Sequence, residues 1–307
     1  MQRSWAYGLA AAGIAIAAVL IFISQNGVLS FLRGMPVPPA SGRITVVATF
    51  FPLYDFAREV GKDRIALSLL FTQTPEVASF APADVQKINS ADLVIKNGFG
   101  LEPVLDELIA ASDNRGVAVA DTSAGIPPLG SAGPDAREGA DPHVWLNPQN
   151  AIIQVGNIRD ALTLADPGNA DFYRTNAAAF IAEVESLDRE IADAVSRFPQ
   201  KDFVAFHSAF RYFADRYALR QVAVIEEFPG KEPSPRYIAE VMRVIRSTGV
   251  RAIFTEPQFS PRVVEVIASD LGLAVSTLDP METGDPEMDS YLSLMRRNLE
   301  TLKTAMR

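Results

Sequence analysis

The chain has 307 residues and only two histidines, and both stand where a short run of β-type residues ends. His143 follows Asp141-Pro142, and His207 closes Phe203-Val204-Ala205-Phe206-His207. A third run, Ala274 to Leu278, ends in the same way on Asp279-Pro280. Open α/β sheets bind ligands beyond the carboxyl ends of their strands, so imidazoles and carboxylates at such ends can converge on one point. Two imidazoles with carboxylates suit a transition-metal ion. Taken singly, a His after Pro is a turn residue and Asp-Pro is a turn start. Their shared position at strand ends is what points to a metal.

Positioning those residues requires strands that stop together, and the chain alternates β-type runs with helix-length amphipathic segments twice over. In the first half the runs are 44–48, 65–71, 92–96 and 117–120, with helical segments at 54–60, 82–88 and 101–111. In the second half they are 203–206, 222–225, 252–255 and 274–278, with helical segments at 209–217, 235–247, 261–271 and from Pro286 onward. Such alternation predicts parallel sheets flanked by helices, hence two α/β lobes. Between the halves, residues 169–198 contain neither Pro nor Gly, and place Tyr173, Ala177, Phe180, Val184, Leu187, Ile191, Ala194 and Phe198 at alternating steps of four and three. That spacing predicts one long helix with a buried stripe, about 45 Å in length. A stiff connection of this kind limits relative motion of the lobes.

Composition excludes several classes. A net charge of −9 argues against a nucleic-acid partner, which needs clustered Lys and Arg. With no cysteine there is no thiolate site and no disulfide framework. Near the amino terminus, Trp5 to Ile23 is uncharged and apolar, spanning about 28 Å as a helix. Arg3 before it predicts a cytoplasmic start and an exported body. Without an Ala-x-Ala-like site or a lipobox cysteine, the segment reads as an uncleaved anchor. The expected division is a signal or anchor region 1–34, a Pro-rich linker 35–42, a first lobe 43–168, a connecting helix 169–198 and a second lobe 199–307.

Several stretches then resemble one family, the solute-binding proteins of zinc and manganese ABC importers of the ZnuA/TroA type. They are Asp92-Leu93-Val94-Ile95-Lys96-Asn97-Gly98-Phe99-Gly100-Leu101-Glu102, Asp141-Pro142-His143-Val144-Trp145-Leu146-Asn147-Pro148, and Phe206-His207-Ser208-Ala209-Phe210. Glu232-Pro233-Ser234-Pro235, Thr255-Glu256-Pro257-Gln258-Phe259 and Leu278-Asp279-Pro280 follow in the family's order. The resemblance covers about residues 43 to 307. It implies two Rossmann-like lobes joined by a rigid backbone helix, with one metal ion in the cleft, delivered to an importer permease by a monomeric receptor outside the cytoplasm. It carries ligand roles to His143, His207 and Asp279.

The family's first histidine ligand has no counterpart. Aligned on Pro82-Ala83-Asp84, Glu76 takes its place; aligned on Ser79-Phe80, Ala78 does. Glu76 completes a four-donor set of two nitrogens and two oxygens, whereas three ligands leave a position open to water. Glu256 is the competing carboxylate, with a role behind a ligating imidazole as its leading alternative. His207 at the third position favours zinc, and the oxygen donors bring manganese and ferrous iron close behind. The segment 130–140, with Asp135 and Glu138, lacks a histidine-rich loop.

Two other classes are open to the same residues. A metallohydrolase would use Glu256 as a general base, but no HExxH pair, Gly-x-Ser-x-Gly elbow or phosphate loop accompanies it. An adhesion protein with a vestigial site would bind no ion at all. For a capture protein, ordinary side-chain pKa values predict little proton release on metal binding near pH 7.5.

Overall fold

The structure is a computed structural model that describes residues 42–130, 139–227 and 230–306. The anchor expected at 5–23, the linker up to residue 41 and the loop acids Asp135 and Glu138 lie outside the described residues. Among the described residues no helix is long and apolar enough to cross a membrane.

Two four-stranded sheets are built on one plan. The first contains β1 (Ile44–Ala48), β2 (Ile65–Leu69), β3 (Leu93–Lys96) and β4 (Ala118–Asp121), in the order β2-β1-β3-β4. The second contains β5 (Asp202–Ala205), β6 (Arg220–Val224), β7 (Ala252–Thr255) and β8 (Val275–Thr277), in the order β6-β5-β7-β8. Every pairing is parallel. The strand order reverses between β1 and β3 and again between β5 and β7, which are the places where an α/β sheet opens a crevice for a ligand.

The helices are α1 (Phe51–Gly61), α2 (Pro82–Asn89), α3 (Leu105–Ala111), α4 (Pro148–Ala165), α5 (Ala170–Ser196), α6 (Arg211–Arg216), α7 (Pro235–Thr248), α8 (Arg262–Leu271) and α9 (Tyr291–Ala305). The long helix α5 buries Tyr173, Ala177, Phe180, Val184, Leu187 and Ile191, as its spacing predicts. At its end Val195 is buried in place of Ala194, because a straight helix of 3.6 residues per turn drifts away from a strict seven-residue repeat. Helix α4 packs along α5 and is an element that apolar spacing does not announce, since its inward face includes Asn150 and Gln154.

Three cores hold these layers. The outer face of the first sheet packs with α2 and α3 around Val47, Val94, Ile88 and Leu108. The outer face of the second packs with α7 and α8 around Val204, Ile253, Val241 and Val264. The third and largest core is continuous through both lobes, running from Val46 and Phe56 through Trp145, Tyr173 and Leu187 to Phe210, Phe254 and Leu299. The connecting helix is therefore not a free strut but one wall of a shared interior. Separating the lobes would expose that interior, at about 25 cal/mol per Å² of apolar surface.

Candidate metal centre

Polar groups under the first lobe fix the turn that presents His143. The carboxylate of Glu102 accepts from the Thr49 hydroxyl (2.7 Å) and from the backbone N–H of Asn97 (2.6 Å). The Asn97 amide donates onward to the Pro142 carbonyl (2.8 Å), and Gln154 donates to Asn97 Oδ1 (3.0 Å). Gly98 allows this close approach: its φ is +93°, and a Cβ there would lie 2.2 Å from Asp121 Oδ1. Burial pushes the Glu102 carboxyl up to about 7, against the three hydrogen bonds from Asn97, Thr49 and Gly98.

The histidines are prepared in the same way from opposite sides. Nδ1 of His143 is 2.8 Å from Asp141 Oδ1, and Nδ1 of His207 is 2.6 Å from Glu256 Oε2. The same carboxylates accept the backbone N–H groups of His143 (3.0 Å) and His207 (3.2 Å). With each Nδ1 occupied, each Nε2 is the atom left to face the cleft. The two Nε2 atoms are 3.3 Å apart.

Two carboxylates complete the group. Glu76, in the 3-10 turn Pro75–Val77 beyond β2, brings Oε1 to 3.0 Å from His143 Nε2. Glu282, beyond β8, brings Oε1 to 3.1 Å from His207 Nε2 and 3.5 Å from His143 Nε2. One donor atom from each of Glu76, His143, His207 and Glu282 lies within 4.8 Å of all the others. Tetrahedral bonds of about 2.0–2.1 Å require donor-to-donor edges of about 3.3 Å. Four separations of 3.0, 3.1, 3.3 and 3.5 Å match that figure. Glu76 Oε2 and Glu282 Oε1 are buried without a hydrogen-bond donor, and Glu282 is 0% exposed. A carboxylate oxygen so placed needs a cation or a proton.

The electrostatics agree. Burial would lower the His143 imidazole, but the Asp141, Glu282 and Glu76 carboxylates override it and raise its pKa well above the usual histidine value. His207 is likewise opposed by burial yet pushed up to about 10 by Glu256 and Glu282. Burial pushes Glu282 up, and the facing imidazoles outweigh it and hold its carboxyl well below the usual range. A divalent cation can take the place of the positive charge that this pocket otherwise draws from protons.

Asp279 is not part of the group, which corrects the expectation from its strand-end position. Its Oδ1 accepts the N–H of Met281 (2.8 Å), and its own N–H goes to Asn298 Oδ1 (2.8 Å). Asp279 Oδ1 thus closes a turn. Met281, at φ +62°, swings the chain around, and Glu282 supplies the inward carboxylate instead. The only hint in the sequence is a second carboxylate three residues after a strand-end Asp. Glu256 stands behind His207, with Oε2 on its Nδ1 and Oε1 on its backbone N–H. Ala78 is buried in the apolar cluster of the first lobe, away from any donor role.

Comparison with known proteins agrees with this geometry. The family model described as "ZnuA: Zinc-uptake complex component A periplasmic" matches residues 46–305. The chain belongs to this family. A zinc-binding protein AdcA of Streptococcus pyogenes is 31% identical over 289 residues, covering 86% of this chain and 56% of AdcA, so the chain spans about half the length of those curated relatives. The high-affinity zinc uptake system protein ZnuA of Bacillus subtilis is 28% identical over 288 residues, covering 86% of this chain and 88% of ZnuA. Among solved structures, FpvC of Pseudomonas aeruginosa in complex with Mn²⁺ superposes with a TM-score of 0.80 at 26% identity, covering 86% of this chain and 98% of FpvC. Members of the ZnuA family are components of metal uptake and not enzymes, and the two-lobed α/β architecture is theirs.

Proposed function

We propose that this protein captures one divalent transition-metal ion, zinc before manganese or ferrous iron, and hands it to the permease of an ABC importer on the outer side of the membrane. Glu76, His143, His207 and Glu282 are the ligands in this reading, and Asp141 and Glu256 hold the imidazoles behind them. The family's description as a periplasmic zinc-uptake component supports the extracytoplasmic location. The apolar segment 5–23 would serve as its anchor.

The observation that supports the reading is that four of the six donor separations lie between 3.0 and 3.5 Å, near the edge of a tetrahedron around one ion, and all donors lie within 4.8 Å of one another. The two ligand carboxylates bring two negative charges, which neutralise a divalent cation inside a buried pocket. Capture needs no chemistry. The ion stabilises the closed cleft because it binds that state better than the open one.

The test is a titration of dialysed protein with Zn²⁺ and Mn²⁺, alongside Glu282→Gln and Asp279→Asn. One ion per chain is expected. Glu282→Gln should lose more than the roughly 10–100-fold typical of a residue that only supports a ligand, and Asp279→Asn should stay within that range. The reverse order would return the fourth position to Asp279. Absence of saturable binding by the unmodified protein would remove the capture reading altogether.

A further inference from the structure

Gln258 follows β7 by three residues, and the function above leaves it without a role. Its Nε2 lies 3.2 Å from Glu256 Oε2 and 3.4 Å from Glu282 Oε2. The amide has two N–H hydrogens, so one can go to each carboxylate. Its orientation is fixed by chemistry, because an amide oxygen in that place would confront two carboxylate oxygens. The price of the arrangement is visible at the other end, where Gln258 Oε1 is buried with no partner.

The consequence falls on Glu282. Its two oxygens are made unequal: Oε2 is held by Gln258, while Oε1 has no donor and faces both imidazole Nε2 atoms at 3.1 and 3.5 Å. A carboxylate with both oxygens free can close on an ion as a two-oxygen ligand. One whose second oxygen is tied by an N–H is held to a single oxygen. Zinc accepts a four-coordinate set, whereas manganese favours six oxygen-rich positions.

We propose that Gln258 is a positioning residue that tunes metal specificity: by holding Glu282 Oε2 it restricts Glu282 to one coordinating oxygen, so that the site, in which the second oxygen of Glu76 is untied, reaches one oxygen fewer than it otherwise would, the direction that favours zinc over manganese. The inference rests on Glu282 being a ligand. Glu256 gains from the same amide, since the N–H that reaches it also steadies the carboxylate behind His207. Gln258 thereby joins the carboxylate behind His207 to the carboxylate that shares the ion with it.

The test compares the full chain with Gln258→Leu, which is of similar bulk but ends one atom short and has no N–H. Zn²⁺ and Mn²⁺ affinities are measured by competition, and Co²⁺ is used as a spectroscopic probe, because four-coordinate cobalt absorbs visible light far more strongly than five- or six-coordinate cobalt. The ratio of manganese to zinc dissociation constants should fall about tenfold in Gln258→Leu, within the 10–100-fold scale of residues behind a metal ligand. The cobalt bands should weaken at the same time. An unchanged ratio with unchanged bands overturns the proposal, as does an equal loss for both ions with unchanged bands, the mark of a purely structural residue. X-ray absorption on the zinc-loaded unmodified protein tests the idea without any variant: a zinc shell of two nitrogens and four carboxylate oxygens, which needs both oxygens of Glu282 beside those of Glu76, overturns it. Full affinity in Glu282→Gln instead overturns the ligand assignment itself, and is read separately.

Discussion

Trp145 donates its indole N–H to the carbonyl of Pro280 at 2.7 Å, across 135 residues of sequence. The turn that presents His143 and the loop that presents Glu282 are thereby one mechanical unit. Tyr291 strengthens it by donating its hydroxyl to the Trp145 carbonyl (2.8 Å), and its own N–H reaches Asp55 Oδ2 (2.7 Å) in α1. Gly284 presses against Phe51 so closely that a Cβ would meet the ring at 2.5 Å. The loop after β8 is thus fastened to the first lobe although it emerges from the second.

Replacing Trp145 by Phe keeps the aromatic edge contact with Phe50 but leaves the buried Pro280 carbonyl unpaired. The expected cost is about 1–3 kcal/mol in unfolding free energy, measured by urea denaturation of the apo protein. Zinc affinity should fall as well, because Glu282 then loses its fixed distance to His143. Unaltered stability with unaltered affinity would show that the two segments are held independently.

Proton release follows from the raised imidazole pKa values, and it corrects the expectation from ordinary ones. His207, pushed up to about 10, holds a proton at pH 7.5 in the absence of an ion, and the carboxylates around His143 raise its imidazole in the same direction. Metal binding at that pH should release at least one proton per ion, read as the dependence of calorimetric heat on buffer ionisation enthalpy. The linkage has a definite sign. A folded pKa above the unfolded value of about 6.5 gives stability that is complete below that pH and is lost as pH rises towards about 10. Apo protein should therefore melt at lower temperature as pH climbs through this window, and zinc should cancel the trend.

Asp188 in α5 ties three elements together, accepting from Arg216 Nε (3.0 Å), Tyr217 Oη (2.8 Å) and Gln149 Nε2 (2.8 Å). Burial works against its charge, but the hydrogen bonds from Arg216, Tyr217 and Gln149 win and lower its pKa. Asp188→Asn should cost about 2–3 kcal/mol, the scale of a charged hydrogen bond, measured by denaturation at pH 7. Because the folded pKa is depressed, this contribution is present above the unfolded value of about 3.9 and disappears as pH falls through the folded one. The difference between parent and variant should shrink in acid.

Much of the architecture was legible because local pattern and tertiary demand agree. Strands such as Ile44–Ala48 and Ala252–Thr255 are buried apolar runs, and α5 carries its core on a regular stripe. Helix α4 was not legible, since its inner face carries Asn150 and Gln154, and the Gln154 amide N–H groups meet Asn97 and Thr122 only once folding brings them near. The same division runs through the site. His143 and His207 could be singled out because a chain with two imidazoles, each at a strand end, leaves few places for nitrogen donors to meet. Gln258, an uncharged residue in a loop, gives no signal until its amide is seen between two carboxylates.

By itself the sequence determined the alternation of strands and helices, the buried stripe of the connecting helix and the presence of imidazoles at strand ends, because these depend on spacing along one stretch of chain. Only the tertiary structure decided which carboxylate faces them. Asp279 and Glu282 stand three residues apart and are equally able to hold a cation. The choice lies in the turn at Met281 and in the hydrogen bond from Trp145 to Pro280, which are set by packing between distant segments and leave no trace in local pattern.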